Sequence, residues 1–104
     1  MKRPADQAGF ESYVREHTRC LGRAVHEFRT ARGLSHSEVA KRAEVSVRWL
    51  KKLEANELQT NYSIGRLDQI ALALGLDLSD LYQRAGEMAG PPPWLKGKER
   101  RDER

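Results

Sequence analysis

The sequence predicts an all-α protein of five helices, the first of them entered through an N-terminal helical extension. Three observations predict this. Apolar residues recur at three- and four-residue steps along most of the chain, which lines them up on one side of successive helices. Ser35, Ser46, Ser63 and Ser79 each stand just before such a run, where a hydroxyl can accept from the free N–H groups of a helix start. No alternating β-branched run and no Asn-Gly or Asp-Gly hairpin turn is present, so nothing signals a strand.

Phe10, Val14, His17, Leu21, Val25 and Phe28 form the first stripe. It reads either as one helix to about Arg32 or as two helices broken near Gly22, where glycine costs about 1 kcal/mol relative to alanine. Gly33 ends it. Ser35 and Glu38 have the spacing of a capping box, and Val39, Ala40 and Ala43 supply the buried face of the second helix. Glu44 and Val45 turn the chain, and Ser46 caps a third helix running from Val47 to about Ala55. Asn56 follows at a position suited to a left-handed backbone. The polar segment 57–62 leads to Ser63 and a fourth helix with the stripe Ile64, Leu67, Ile70, Ala71 and Leu74, stopped at Gly75. Ser79 is expected to cap a fifth helix carrying Leu81, Tyr82 and Ala85 and ending near Gly86. These boundaries divide the chain into an extension (1–19), a helical domain (20–86) and a tail (87–104). The tail opens with Pro91–Pro93 and closes on charged residues, a composition expected to stay unfolded in isolation.

At 104 residues, with 38% hydrophobic and 33% charged, the chain suits one domain with a modest core. The net charge of +4 favours an acidic polymer or surface as partner. Its distribution is uneven. Between Ser35 and Asn56, Lys41, Arg42, Arg48, Lys51 and Lys52 outnumber Glu38, Glu44 and Glu54. Between Glu57 and Gly90 only Arg66 and Arg84 face five acids. Only the first of these stretches is a credible phosphate-facing surface. No apolar run approaches the about 20 residues of a membrane span, and Met1–Asp6 lacks the apolar core of a secretory signal, so a cytoplasmic location is expected. Cys20 is the only cysteine, which rules out an internal disulfide. Cys20, His17, His26 and His36 lack ligand-like spacing, so neither metal nor cofactor is expected. No catalytic triad, paired carboxylates or glycine-rich phosphate loop is present, and the chain reads as no enzyme.

The third helix carries the functional signal. With Leu50 at zero and about 100° per residue, Ser46, Leu53 and Glu54 fall within about 60° of it, while Arg48, Lys51, Lys52 and Ala55 cluster opposite. Val47 and Trp49 lie on the flanks. Leucines thus anchor the helix inward while a guanidinium and two ammonium groups face out. Arginine can bond guanine O6 and N7 bidentately in the major groove, and lysine neutralises phosphate.

From about Cys20 to Leu81 the chain resembles the phage-repressor and Cro-like (XRE-type) helix-turn-helix family. The residues that carry the resemblance are Leu21–Ser35, Glu38–Ser46, Leu50–Glu54 and Leu67–Leu81. It implies a five-helix domain whose second and third helices bind double-stranded DNA, usually as a homodimer on a two-fold site. By position, Ser46, Val47, Arg48 and Lys52 match base-reading or backbone-proximal residues. His36 stands where the family often has glutamine, near a phosphate or outer base. Arg29 and Glu54 match a buried ion pair tying the first helix to the third. Lys51, from the wheel, is a further phosphate contact. The chain departs from the family at Glu44, where glycine is usual, and in the apolar Val47 and Trp49. It departs again in a longer loop whose Gln59, Thr60, Asn61 and Tyr62 offer polar phosphate contacts. Valine suits a thymine methyl, and Trp49 is expected at the core edge or on a sugar.

Outside that region, Phe10, Tyr13 and Val14 are apolar enough either to pack on their own domain or to pair two subunits. His17 and His26 read as plain helix residues, and Cys20 as a small core or surface residue. Lys96, Lys98, Arg100, Arg101 and Arg104 would attract phosphate but are diluted by three acids. The expected function is a sequence-specific transcription regulator, most simply a homodimeric repressor on a pseudo-palindromic operator. The alternative is a protein-interaction module, such as the antitoxin of a toxin–antitoxin pair, with Trp49, Phe10 or Trp94 as anchors.

Overall fold

The computed structural model describes residues 7–58 and 63–91, with side chains from residue 11 onward. Five helices follow one another: α1 (Gln7–Ala31), α2 (His36–Ala43), α3 (Val47–Glu54), α4 (Ile64–Ala73) and α5 (Leu78–Ala89). No strand occurs among the described residues. α1 lies along α5 and crosses α3, while α2 packs between α3 and α4. Cys20, Leu21, Ala24 and Val25 of α1 meet Val39, Leu50, Leu53, Leu67, Ile70 and Leu81 in a single buried core.

Helix α1 is unbroken at Gly22. A Cβ there would collide with the carbonyl oxygen of Leu53, so the end of α3 rests directly on the backbone of α1. Glycine is kept for this close crossing despite its helix penalty, and the two-helix alternative does not apply. The stripe predicted for α1 holds at Leu21, Val25 and Phe28 but not at Val14, which is 44% exposed. There, among the described residues, α1 is accompanied by α5. Tyr13 Oη donates to Gly90 O at 3.1 Å, and the His17 ring stacks on Tyr82 at 6.4 Å between centroids. Tyr13 therefore packs on its own domain; the side chain of Phe10 lies outside the described ones.

The chain reverses after α1, α2, α3 and α4 by one device. Gly33, Glu44, Asn56 and Gly75 all take positive φ. The next residue then reaches back to a carbonyl five positions earlier: Leu34 to Arg29, Val45 to Ala40, Glu57 to Lys52 and Leu76 to Ala71, at 2.8–3.1 Å. These are Schellman closures, in which the last carbonyls of a helix find donors. Leu34, Val45 and Leu76 then fold against the core. At Glu44 (φ 61°, ψ 42°) the device runs on a residue with a Cβ, the strained option of the two left open by the sequence.

Two predicted boundaries shift. The fifth helix starts at Leu78 with Asp77 as its N-cap, not Ser79, because Asp80 Oδ2 accepts from the Asp77 N–H at 2.9 Å. It also runs three residues past Gly86, since Met88 and Ala89 still find core to pack against. In α4, Ile64 heads the helix and is 66% exposed, so it does not share the buried stripe of Leu67, Ile70, Ala71 and Leu74.

Among the described residues one arginine–carboxylate pair is buried. Arg29 Nε and Nη2 donate to Glu54 Oε2 and Oε1 at 2.8 and 3.0 Å, and Nη1 donates to Leu34 O at 2.8 Å. Side-chain exposure is 9% for Arg29 and 6% for Glu54. Burial alone would push the Glu54 carboxyl up. Hydrogen bonds from Arg29 and His26, the Arg29 charge and the His36 contact outweigh it and hold the group below its ordinary value. Its ionised form is therefore favoured by folding, and the stabilisation is complete above the unfolded pKa of about 4.3. It disappears as pH falls through the lower folded value.

Glu44→Gly is expected to raise stability by about 0.5–1 kcal/mol, since relief of left-handed strain exceeds glycine's added unfolded-state entropy; the thermal midpoint followed by circular dichroism checks it. Glu54→Ala is expected to lower the unfolding free energy by about 3 kcal/mol at pH 7, as removing one partner strands a buried charge. Denaturant titrations should show that deficit shrinking as pH falls below the unfolded value of about 4.3 and on through the lower folded one.

Candidate nucleic-acid interface

The face presented by α2 and α3 is set by their caps. Ser35 Oγ accepts from the Glu38 N–H at 3.0 Å and Glu38 Oε1 accepts from the Ser35 N–H at 2.8 Å, a closed capping box. The bonds from Ser35 also hold the exposed Glu38 carboxyl below its ordinary value. Ser46 Oγ accepts from the Trp49 N–H at 3.0 Å and starts α3 immediately after the Glu44 turn. From that start the phase of α3 is fixed. Leu50 and Leu53 are fully buried, while Arg48 and Lys51 are exposed and Lys52 is half-buried.

Val47, Arg48, Lys51, Lys52, Ala55 and Glu57 line one shallow groove on the outer side of α3. Four of the six residues singled out from the sequence are thus brought together. Among the described residues no carboxylate forms a salt bridge with Arg48, Lys51 or Lys52. The only acid within α3, Glu54, is turned inward and neutralised by Arg29. The outer face of the helix therefore carries three uncompensated cations on a rod held rigid from behind. Glu57 lies at its far end.

The other two residues are placed differently. Ser46 is exposed, but its oxygen is engaged by the cap. His36, expected to face a phosphate or an outer base, has its Nε2 3.1 Å from Glu54 Oε1 and only 30% of its side chain exposed. In the free protein it is therefore turned toward the ion pair. His26, read as a plain helix residue, has Nδ1 3.0 Å from the same oxygen. Glu54 Oε1 thus gathers Arg29, His26 and His36 from α1 and α2, and nothing in the spacing of the sequence signals that convergence.

Trp49 is half-buried and packs against the core edge. The guanidinium of Arg66, from α4, lies over its ring at 5.2 Å from the centroid. Sequence reasoning counted Arg66 only as a minority charge in an acidic stretch, because the partner that orients it is on another helix. Gln59, Thr60, Asn61 and Tyr62 lie outside the described residues. Cys20 is fully buried, its thiol pushed up chiefly by burial and also by the nearby Glu16 carboxylate, which keeps it from acting as a thiolate. Among the described residues no group of three or more His, Cys, Asp or Glu is placed to hold a metal ion. No described helix is long and apolar enough to cross a membrane.

Comparison with known proteins agrees with this architecture. The structure of the clp gene regulator ClgR from Corynebacterium glutamicum superposes with a TM-score of 0.62 at 25% identity, covering 84% of this chain and 83% of that one. The structure of a SinR protein/SinI protein complex supplies a chain that superposes with a TM-score of 0.58 at 30% identity, covering 73% of this chain and 72% of that one. No curated protein matches the sequence. A family described as "Helix-turn-helix domain" matches residues 21–83, from the core stretch of α1 to the middle of α5. With its five helices in the phage-repressor-like arrangement, this chain belongs to the helix-turn-helix domain family.

Proposed function

We propose that the protein is a sequence-specific DNA-binding transcription regulator that lays α3 in the major groove. The observation that carries this reading is the division of α3 into a fully buried leucine side and an outer side with three unpaired cations. A helix about 10–12 Å across with side chains fits a groove about 12 Å wide. Arg48 is the base reader, suited to a guanine edge, and Val47 sits beside it for a thymine methyl. Lys51 and Lys52 face phosphate, Lys52 near enough to Arg48 to reach an adjoining base. Ser46 lies where the backbone passes, and His36 reaches a phosphate by exchanging Glu54 for it.

Two copies acting on a pseudo-palindrome with half-sites one helical turn apart, about 34–36 Å, is the simplest assembly. Repression by occupying such an operator in the cytoplasm is the simplest outcome. The similarity to ClgR, a gene regulator, supports a regulatory role. A second reading is favoured by the similarity to a chain of the SinR–SinI complex, an assembly of two proteins: the same domain also serves as a protein-interaction module. The two readings are compatible on separate faces.

Selection of bound sites from random duplex DNA tests binding, symmetry and specificity together; recovery of no shared sequence would end the proposal. On the selected site, Arg48→Ala is expected to relax one base position, with about 1–3 kcal/mol of discrimination lost there and little change on random DNA. Lys51→Ala should weaken all duplexes alike and reduce the slope of log K against log salt by about one unit. Fluorescence anisotropy over a salt series measures both.

A further inference from the structure

We propose that Arg66, laid over Trp49, is a DNA-backbone contact beside the base-reading face of α3, with Trp49 as its positioning residue. This rests on the reading of α3 as the groove-bound helix and adds a residue from a different helix to it. At about 100° per residue, Trp49 lies about 60° around α3 from Lys52 and about 100° from Arg48. It is therefore the flank of the cationic face, half in the core and half in solvent. Arg66 covers it from α4, with the guanidinium 5.2 Å from the ring centroid.

Two features set Arg66 apart from an idle surface charge. Its backbone is pinned, because its own N–H donates to Ser63 Oγ at 3.2 Å in the cap of α4. Its guanidinium also forms no ion pair among the described residues, whereas Arg84, the other arginine of that acidic stretch, is held by Glu27 and Glu87 at 3.1 and 2.9 Å. An aromatic face attracts the guanidinium without using its N–H donors, which stay directed outward around its rim. The stack therefore restricts a long side chain while leaving free the fork that fits a phosphate bidentately.

The position selects phosphate over base. A helix of about 10–12 Å nearly fills a groove of about 12 Å, so the bases are reached only from the helix's outermost side chains. A cation held on its flank by a separate helix stands at the groove wall, and the wall is the sugar–phosphate backbone. Arg66 then fixes how α3 is seated without reading sequence.

The test uses the full chain, its selected duplex and a random duplex, titrated over a salt series by anisotropy. Arg66→Ala is expected to weaken both duplexes equally, by about three- to tenfold near 0.1 M salt, and to lower the salt slope by about one unit. Base preferences should be unchanged. Trp49→Leu should produce the same loss in the wild type and no further loss beside Arg66→Ala, while Trp49→Phe retains most of the binding. Far-UV circular dichroism establishes that each variant is folded. If Arg66→Ala binds with wild-type affinity and slope while Arg48→Ala still loses its base preference, this inference is wrong and the DNA-binding reading stands. Equal losses from Trp49→Leu with and without Arg66 overturn the positioning role. A wild type that binds no duplex overturns both readings.

Discussion

The Arg29–Glu54 pair is the constraint on which the rest of the arrangement depends. It joins the last turns of α1 and α3 where both would otherwise present a lone charge to the core. It also uses a third guanidinium donor to hold the Leu34 carbonyl at the entrance to α2. A buried pair of this kind is not strongly stabilising compared with apolar residues of the same shape. Its importance is geometric. The fork fits only one relative setting of the two helices, and it removes the one acid of α3 from the electrostatics of the outer face. The positive field of that face thus follows from a contact made behind it.

Two further fixtures act on the same helix. Its start is set by Ser46 immediately after a left-handed Glu44, and its end is pressed against α1 at Gly22. Start, end and inner charge being fixed, the side chains of Arg48, Lys51 and Lys52 inherit their directions from the backbone. What remains adjustable is at the margins: His36, which shares Glu54 Oε1 with two other donors, and Arg66, which is steered by an aromatic ring.

Much of this was legible in the sequence because the signals are local. The capping box of Ser35 and Glu38, the caps at Ser46 and Ser63, and the opposition of Leu50 and Leu53 to Arg48 and Lys51 each lie within two turns of helix. The start of α5 misled because Asp77, Ser79 and Asp80 all offer capping oxygens, and the choice among them falls to where Leu78 and Leu81 must pack. Gly22 reads as a weakness until the Leu53 carbonyl is seen against it. The inward turn of His36, the engagement of His26 and the Trp49–Arg66 stack are meetings between different helices, and no spacing along the chain encodes them. Glu44 was recognisable as a departure, and only the backbone angles show that the glutamate accepts the strain.

The bare crossing at Gly22 has a consequence for how such a protein can diversify. Because α3 leans on α1 main chain to main chain, its tilt owes nothing to the letters written on its far side. Substitutions at the exposed Arg48 or Lys51 can therefore accumulate without disturbing the hinge on which the rod is mounted. One scaffold can in this way carry different outer faces, whereas a single methyl group added at Gly22 would tip all of those side chains at once.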